Sequence, residues 1–134
     1  FASIKLGFEL RIASPKAFFP AKDLIEKTGS NVIVTQDLEA AVEGSDVLYT
    51  DVWVSMGKEE ESKSRLEMFK GYQINTPLMA KANPNALLMH CLPAYRGKEV
   101  SEEALEEHAA TIFNQAENRL HAQCGLLVEQ LSAT

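Results

Sequence analysis

Three short segments of the chain carry side chains that can hold or activate a small polar substrate. Asp51 follows one apolar run, His90 and Cys91 follow another, and Arg119 lies in Glu117-Asn118-Arg119. A carboxylate can hold an ammonium group by charge-assisted hydrogen bonds, a thiolate is a nucleophile, and an arginine stabilises negative charge. Because ligands bind at the carboxyl ends of strands in open α/β sheets, we expect a ligand site at these strand ends.

Residue types alone leave structural roles open for the same side chains. Asp51 is also consistent with a solvated aspartate at a strand end or a helix N-cap, and Cys91 is consistent with a small, buried hydrophobic residue. A nucleophilic Cys91 would need a base within reach, and neighbouring strand residues point to opposite faces, so His90 is not automatically its partner. Arg119 is a surface charge by default, and the segment 55–57, Ser-Met-Gly, is an ordinary turn by itself.

The composition indicates one globular domain and excludes several classes of partner. The chain has 134 residues, 46% of them hydrophobic, and 13 basic against 19 acidic side chains give a net charge of −6, which opposes binding to nucleic acid. No apolar run approaches the roughly 20 residues of a membrane span, so we expect a soluble chain. Cys91 and Cys124 lack metal-site spacing, which favours a reducing, cytoplasmic setting without a disulfide or zinc.

Strand and helix patterns alternate along the chain. Short apolar runs predict strands at residues 8–13, 31–34, 46–50, 86–89 and 111–113. Between them, capping residues and helical periods predict helices near residues 21–27, 37–43, 76–83, with Thr76 as its cap, and from 101, with Ser101 as its cap. A last helix carries on one face Leu120, Cys124, Leu127, Val128 and Leu131. The charged segment 58–69 predicts a surface helix or an ordered, lid-like insertion. This alternation predicts an α/β three-layer sandwich, with a mostly parallel, Rossmann-like sheet between two helical layers.

The three segments together closely resemble the C-terminal, amino-acid-binding domain of ornithine carbamoyltransferase. The matching stretches are residues 51–57, Asp-Val-Trp-Val-Ser-Met-Gly, residues 90–93, His-Cys-Leu-Pro, and residues 117–119, and the likeness covers nearly the whole chain. Relatives that use aspartate carry His-Pro-Leu-Pro instead, and relatives that use putrescine lack Ser-Met-Gly. The resemblance therefore favours ornithine, with a modified ornithine left open.

The resemblance implies how the amino acid is held. Asp51 is expected to contact the amino groups of L-ornithine. Ser55 and Met56 are expected to bind the amino-acid end of L-ornithine through a hydroxyl and the backbone. Cys91 is expected to lie beside the bound amine and position it, without a covalent intermediate.

The resemblance also assigns the carbamoyl group its contacts. Leu92 is expected to contact it through the backbone, with His90 supporting the loop. Arg119 is expected to contact the carbonyl oxygen of carbamoyl phosphate, where negative charge develops in the tetrahedral intermediate. Asp51, Cys91 and Arg119 are thus the expected catalytic residues.

The implied reaction joins two substrates without a metal or organic cofactor. The side-chain amine of L-ornithine attacks carbamoyl phosphate, giving L-citrulline and phosphate in arginine biosynthesis. The Ser-x-Arg-Thr-Arg loop of the family's carbamoyl-phosphate domain does not occur in this sequence. We therefore expect residues 1–134 to be a single ornithine-binding domain without that N-terminal domain, with at most trace activity alone. The alternative is a noncatalytic amino-acid-binding or regulatory module.

The same resemblance implies an incomplete sheet. The family's domain begins with one more strand, whereas residues 1–6 read as the end of a helix stopped by Gly7, so we expect a processed or truncated chain. Without that strand, five parallel strands would leave a gap with unpaired backbone groups or close up in a changed order. We expect a rearranged sheet, a swapped dimer or low stability, where the intact family forms homotrimers.

Overall fold

The chain folds into alternating short strands and helices, and the computed structural model describes residues 1–54 and 62–132. The strands are β1 (Leu10–Ala13), β2 (Val32–Thr35), β3 (Val47–Thr50) and β4 (Leu87–His90). The α-helices are α1 (Ala2–Leu6), α2 (Lys22–Thr28), α3 (Leu38–Val42), α4 (Ser62–Met68), α5 (Thr76–Met79), α6 (Glu102–Glu107) and α7 (Ala109–Ser132). Short 3₁₀ turns occupy Lys16–Phe18 and Gly29–Asn31.

The strands form two parallel pairs. β1 pairs with β2, and β3 pairs with β4, in the second case with Leu48 opposite Leu88 and Thr50 opposite His90. The predicted α/β fold with parallel strands is confirmed. No ladder joins the two pairs within the described residues.

The core lies on one face of the β3–β4 pair. Leu48 and Leu88 face each other and are buried, whereas Val47, Tyr49 and Leu87 on the opposite face are about half exposed, as the period of two in a strand requires. Helices α3, α5, α6 and α7 supply most of the other core residues. The buried cluster consists of Val42, Leu48, Ile74, Leu78, Ala86, Leu88, Val100, Ala104, Leu105 and Ile112.

The predicted caps of α1 and α6 are confirmed, whereas α5 differs from the prediction at both ends and stops at Met79 instead of residue 83. Ser101 Oγ accepts from the Ala104 amide at 3.2 Å, and Gly7 ends α1 with a φ of +73°, a conformation that glycine adopts without strain. At α5 the predicted cap, Thr76, is wrong, because Asn75 Oδ1 accepts from the Leu78 amide at 3.0 Å. Thr76 is instead the first helical residue.

The predicted strand at residues 111–113 is wrong, because these residues lie inside α7. Ile112 is only 1% exposed, and its burial on one side of a helix accounts for the apolar run that suggested a strand. Further along α7, the face that carries Leu120, Cys124 and Leu131 is exposed in this chain. No helix in the described part of the chain, α7 included, has both the length and the apolar character that a bilayer crossing needs.

Truncating a core residue of β4 should destabilise the fold strongly. Leu88 is fully buried, so Leu88→Ala should lower the free energy of unfolding by about 2–5 kcal/mol, measured by urea denaturation. The matched control is Leu87→Ala on the opposite, half-exposed face of the same strand, which should cost less than half as much. Equal losses from the two variants would contradict the assignment of the core face.

Candidate functional site

The carboxyl ends of β3 and β4 bring Asp51 and Cys91 side by side. Because Thr50 lies opposite His90 in the parallel ladder, the next residue of each strand projects from the other face at the same edge of the sheet. The Cys91 thiol donates to Asp51 Oδ1 over 3.0 Å, and the Val52 amide donates to the same oxygen over 2.7 Å. These two residues, 40 positions apart in sequence, form the centre of the site.

The surroundings of Cys91 favour the neutral thiol. Burial raises the pKa of the Cys91 thiol, and the hydrogen bond to Asp51 and the negative charge of that carboxylate raise it further. A backbone hydrogen bond and the Tyr49 side chain lower the pKa of the thiol and offset only part of the rise. Since the thiolate is the nucleophilic form, the site is not arranged to activate Cys91 for covalent attack.

His90 anchors the loop that follows β4. Its side chain is fully buried, and Nδ1 accepts from the Leu92 amide at 2.8 Å, so Nε2 carries the hydrogen and donates to Glu99 Oε1 at 3.3 Å. The same Glu99 oxygen accepts from the Tyr95 amide at 2.6 Å. The imidazole thus points away from Cys91 and supports the loop.

Leu92 adopts a backbone conformation that is rare for a residue with a side chain. Its φ is +55°, and the bond to Pro93 is cis. The side chain packs against the core, and the amide is already bonded to His90. A ligand contact through the Leu92 backbone would therefore fall to its carbonyl oxygen.

Arg119 reaches the same loop from α7. Its Nη1 donates to the Cys91 carbonyl oxygen over 3.3 Å, and the side chain is exposed. The structure thus brings together four of the six predicted site residues, Asp51, Cys91, Leu92 and Arg119. The other two, Ser55 and Met56, lie outside the described residues.

Two side chains at the site were not predicted from the sequence. Gln115 Oε1 accepts from the His90 amide at 2.9 Å, and Gln115 Nε2 donates to the Tyr49 hydroxyl over 3.0 Å. Tyr49 stands two residues before Asp51, so strand alternation alone could have placed it on the same face. Gln115 stands four residues before Arg119, a helical spacing that the wrong strand at residues 111–113 concealed.

Trp53 fixes the chain just beyond Asp51 against α4. Its ring stacks on Phe69 with centroids 5.7 Å apart, and its carbonyl oxygen accepts from Arg65 Nη1 at 3.4 Å. Beside it lies an open cleft of about 440 Å³, whose lining includes Lys70 and Lys98. Neither Asp51 nor Cys91 lines that cleft.

The site offers complementary groups to a substrate with a cationic and an electrophilic part. The exposed Asp51 carboxylate can hold a cation, and the exposed Arg119 guanidinium can stabilise a developing oxyanion. Cys91 contacts both, Asp51 through its thiol and Arg119 through its carbonyl oxygen. Within residues 1–54 and 62–132, no cluster of three or more His, Cys, Asp or Glu residues is arranged to hold a metal ion.

Residues 1–129 match the sequence model of the family described as aspartate/ornithine carbamoyltransferase, Asp/Orn binding domain. The chain belongs to this family. It is 50% identical over 131 residues to an ornithine carbamoyltransferase of Nitratiruptor sp., a match that covers 92% of this chain and 42% of that protein. The family that the sequence resembles is thereby confirmed.

Solved structures of the same family share the fold. The anabolic ornithine carbamoyltransferase of Campylobacter jejuni matches with a TM-score of 0.88 and 40% identity, covering 96% of this chain and 45% of that one. The Thermus thermophilus enzyme matches with a TM-score of 0.82 and 35% identity, covering 96% and 41%. The chain thus spans less than half the length of these relatives.

Removing the charge of Asp51 should make Cys91 more acidic. Because the carboxylate raises the pKa of the thiol, Asp51→Asn should lower that pKa and speed the alkylation of Cys91 by iodoacetamide below the midpoint of its pH profile. Mass spectrometry of the Cys91 peptide separates this reaction from that of Cys124. The control is Asp46→Asn before β3, where the carboxylate bonds to Asn83 instead, and it should leave the profile unchanged. A slower reaction in Asp51→Asn would contradict the arrangement described here.

Proposed function

We propose that this chain is the ornithine-binding part of an ornithine carbamoyltransferase. In this reaction the side-chain amine of L-ornithine attacks the carbonyl carbon of carbamoyl phosphate, and L-citrulline and phosphate leave. The observation that carries the proposal is the Asp51 carboxylate beside the Cys91 thiol, 3.0 Å apart, at the paired ends of β3 and β4. Membership of the family and close relatives with this name support it.

The carboxylate and the thiol suit an amine that must be positioned and then react as the free base. An alkylamine has a pKa of roughly 10.4, so at neutral pH it arrives as a cation that Asp51 can hold. The amine must lose one proton before it attacks, so the site must either favour the neutral form or bind the small fraction of ornithine that is already neutral. With its raised pKa, Cys91 remains a neutral thiol that can border the uncharged amine without competing as a nucleophile.

The carbamoyl group is proposed to lie between Arg119 and Leu92. The guanidinium of Arg119 stands 3.3 Å from the Cys91 carbonyl oxygen, and we place the carbonyl oxygen of the electrophile within its reach. A fixed positive charge there stabilises the tetrahedral intermediate, an effect often worth a factor of about 10² or more in rate. Ser55 and Met56 are proposed to bind the amino-acid end of ornithine.

The phosphate of carbamoyl phosphate is proposed to be held by residues that this sequence does not contain. The chain matches 42% of the length of its Nitratiruptor relative, and the sequence has no Ser-x-Arg-Thr-Arg loop. We infer that residues 1–134 form one ornithine-binding domain, which works together with a carbamoyl-phosphate domain. Catalysis then consists of positioning two substrates and stabilising an oxyanion.

We further propose a homo-oligomer in the cytoplasm. Apolar side chains on α1 and the far part of α7 are exposed in this chain, among them Leu6, Leu120 and Leu131, and such surface favours burial against another domain or subunit. Both cysteines are free thiols, which fits a reducing compartment. A trimer is the arrangement that the resemblance implies, and a swapped dimer is the alternative for this chain by itself.

Calorimetric titration with L-ornithine, with and without carbamoyl phosphate, tests the proposal. Ornithine should bind, and Asp51→Asn should abolish or strongly weaken binding, because the carboxylate supplies the charge opposite the amine. Asp46→Asn, at the other end of β3, is the matched control and should bind normally. Unimpaired binding to Asp51→Asn would contradict the proposed site.

Citrulline formation separates an enzyme part from a noncatalytic binding module. The chain alone should form at most trace citrulline, and addition of a carbamoyl-phosphate domain from a relative should raise the rate. Ornithine binding without any citrulline under those conditions would favour the module. Robust turnover by the pure chain would overturn the inference that the phosphate site lies elsewhere.

A further inference from the structure

Gln115 ties the two strands of the site together through one side-chain amide. Its carbonyl oxygen accepts from the His90 amide at 2.9 Å, and its amide nitrogen donates to the Tyr49 hydroxyl at 3.0 Å. One contact holds the end of β4 and the other holds the side chain of a β3 residue. Gln115 is half-buried, which limits the other positions that its amide can adopt.

This bond fixes the role of the Tyr49 hydroxyl. A phenol has one hydrogen to donate and lone pairs to accept with. Because the oxygen already accepts from Gln115, its own hydrogen is left for another partner. Tyr49 lies on the same strand face as Asp51 and opposite Met89 in the ladder, so the hydroxyl lies on the face where the Cys91 sulfur projects.

We propose that Tyr49, held by Gln115, is a positioning residue that donates a hydrogen bond to the Cys91 sulfur. The sulfur then accepts from Tyr49 and donates to Asp51, whose carboxylate is 3.0 Å away, so the thiol has one fixed orientation. That orientation turns the sulfur's hydrogen toward Asp51 at the place proposed for the ornithine amine. The consequence for ornithine rests on the proposed function, whereas the contact between Tyr49 and Cys91 does not.

The groups around Cys91 act on its thiol in opposite directions. From β3, Asp51 raises the pKa of Cys91, and the Tyr49 side chain lowers it. From α7, Arg119 bonds to the Cys91 backbone oxygen, and Gln115 is uncharged. His90, the neighbour in sequence, bonds to Glu99 in the core. Tyr49 is therefore the side chain whose removal should shift the titration of Cys91 upward.

Tyr49→Phe tests the inference, because it removes the hydroxyl and keeps the ring. Without the donated hydrogen bond the thiolate is less stable, so the pH profile of Cys91 alkylation should move to higher pH. Below the midpoint the rate should fall roughly two- to tenfold, the range that one hydrogen bond supplies. The reaction is followed with iodoacetamide and mass spectrometry of the Cys91 peptide, without ornithine present.

The control is Tyr72→Phe, which removes a hydroxyl that donates to the Gln36 carbonyl oxygen at 2.9 Å, and it should leave the profile unchanged. If circular dichroism shows that Tyr49→Phe does not fold, Gln115→Met is used instead. It removes the side-chain amide that holds the Tyr49 hydroxyl and should shift the profile in the same direction. An unchanged profile in whichever of these variants is folded overturns the inference. Failure of the proposed function would instead appear as unimpaired ornithine binding by Asp51→Asn, which is a separate measurement.

Discussion

Parallel pairing of β3 with β4 is the constraint on which the rest of the site depends. It places the carboxyl ends of two strands at one edge, and the fixed register makes Asp51 and Cys91 neighbours across 40 residues of sequence. The period of two in each strand sends Leu48 and Leu88 into the core and the site residues to the other face. A register shift of one residue would exchange the two faces.

The core and the site are joined by the buried pair of His90 and Glu99. Burying a carboxylate is costly unless it is hydrogen-bonded, and Glu99 Oε1 accepts from both the His90 ring and the Tyr95 amide. Its second oxygen has no hydrogen-bond partner in the described part of the chain. The ring of His90 in turn fixes the Leu92 amide, so the loop that carries Cys91 takes its shape from the protein interior.

Local signals predicted the ends of β3 and β4 better than they predicted the last helix. The apolar runs before Asp51 and His90 indicated where β3 and β4 end, because a buried strand and the polar residue after it lie within a few positions of each other in the sequence. The strand predicted at the start of α7 is wrong because the pattern of Ile112 and its neighbours fits a strand as well as one buried side of a helix. That error also concealed Gln115, whose partners come from two other elements. Its helical spacing from Arg119 is a local signal, but the hydrogen bonds themselves depend on tertiary packing.

A crystal structure of the protein with L-ornithine bound tests the central claim most directly. We predict that the side-chain nitrogen of ornithine lies about 3 Å from the Asp51 carboxylate and next to the Cys91 sulfur, on the face that carries Tyr49. Ornithine bound elsewhere, for example in the cleft beside Trp53 and Lys70, with the strand ends unoccupied, would contradict it.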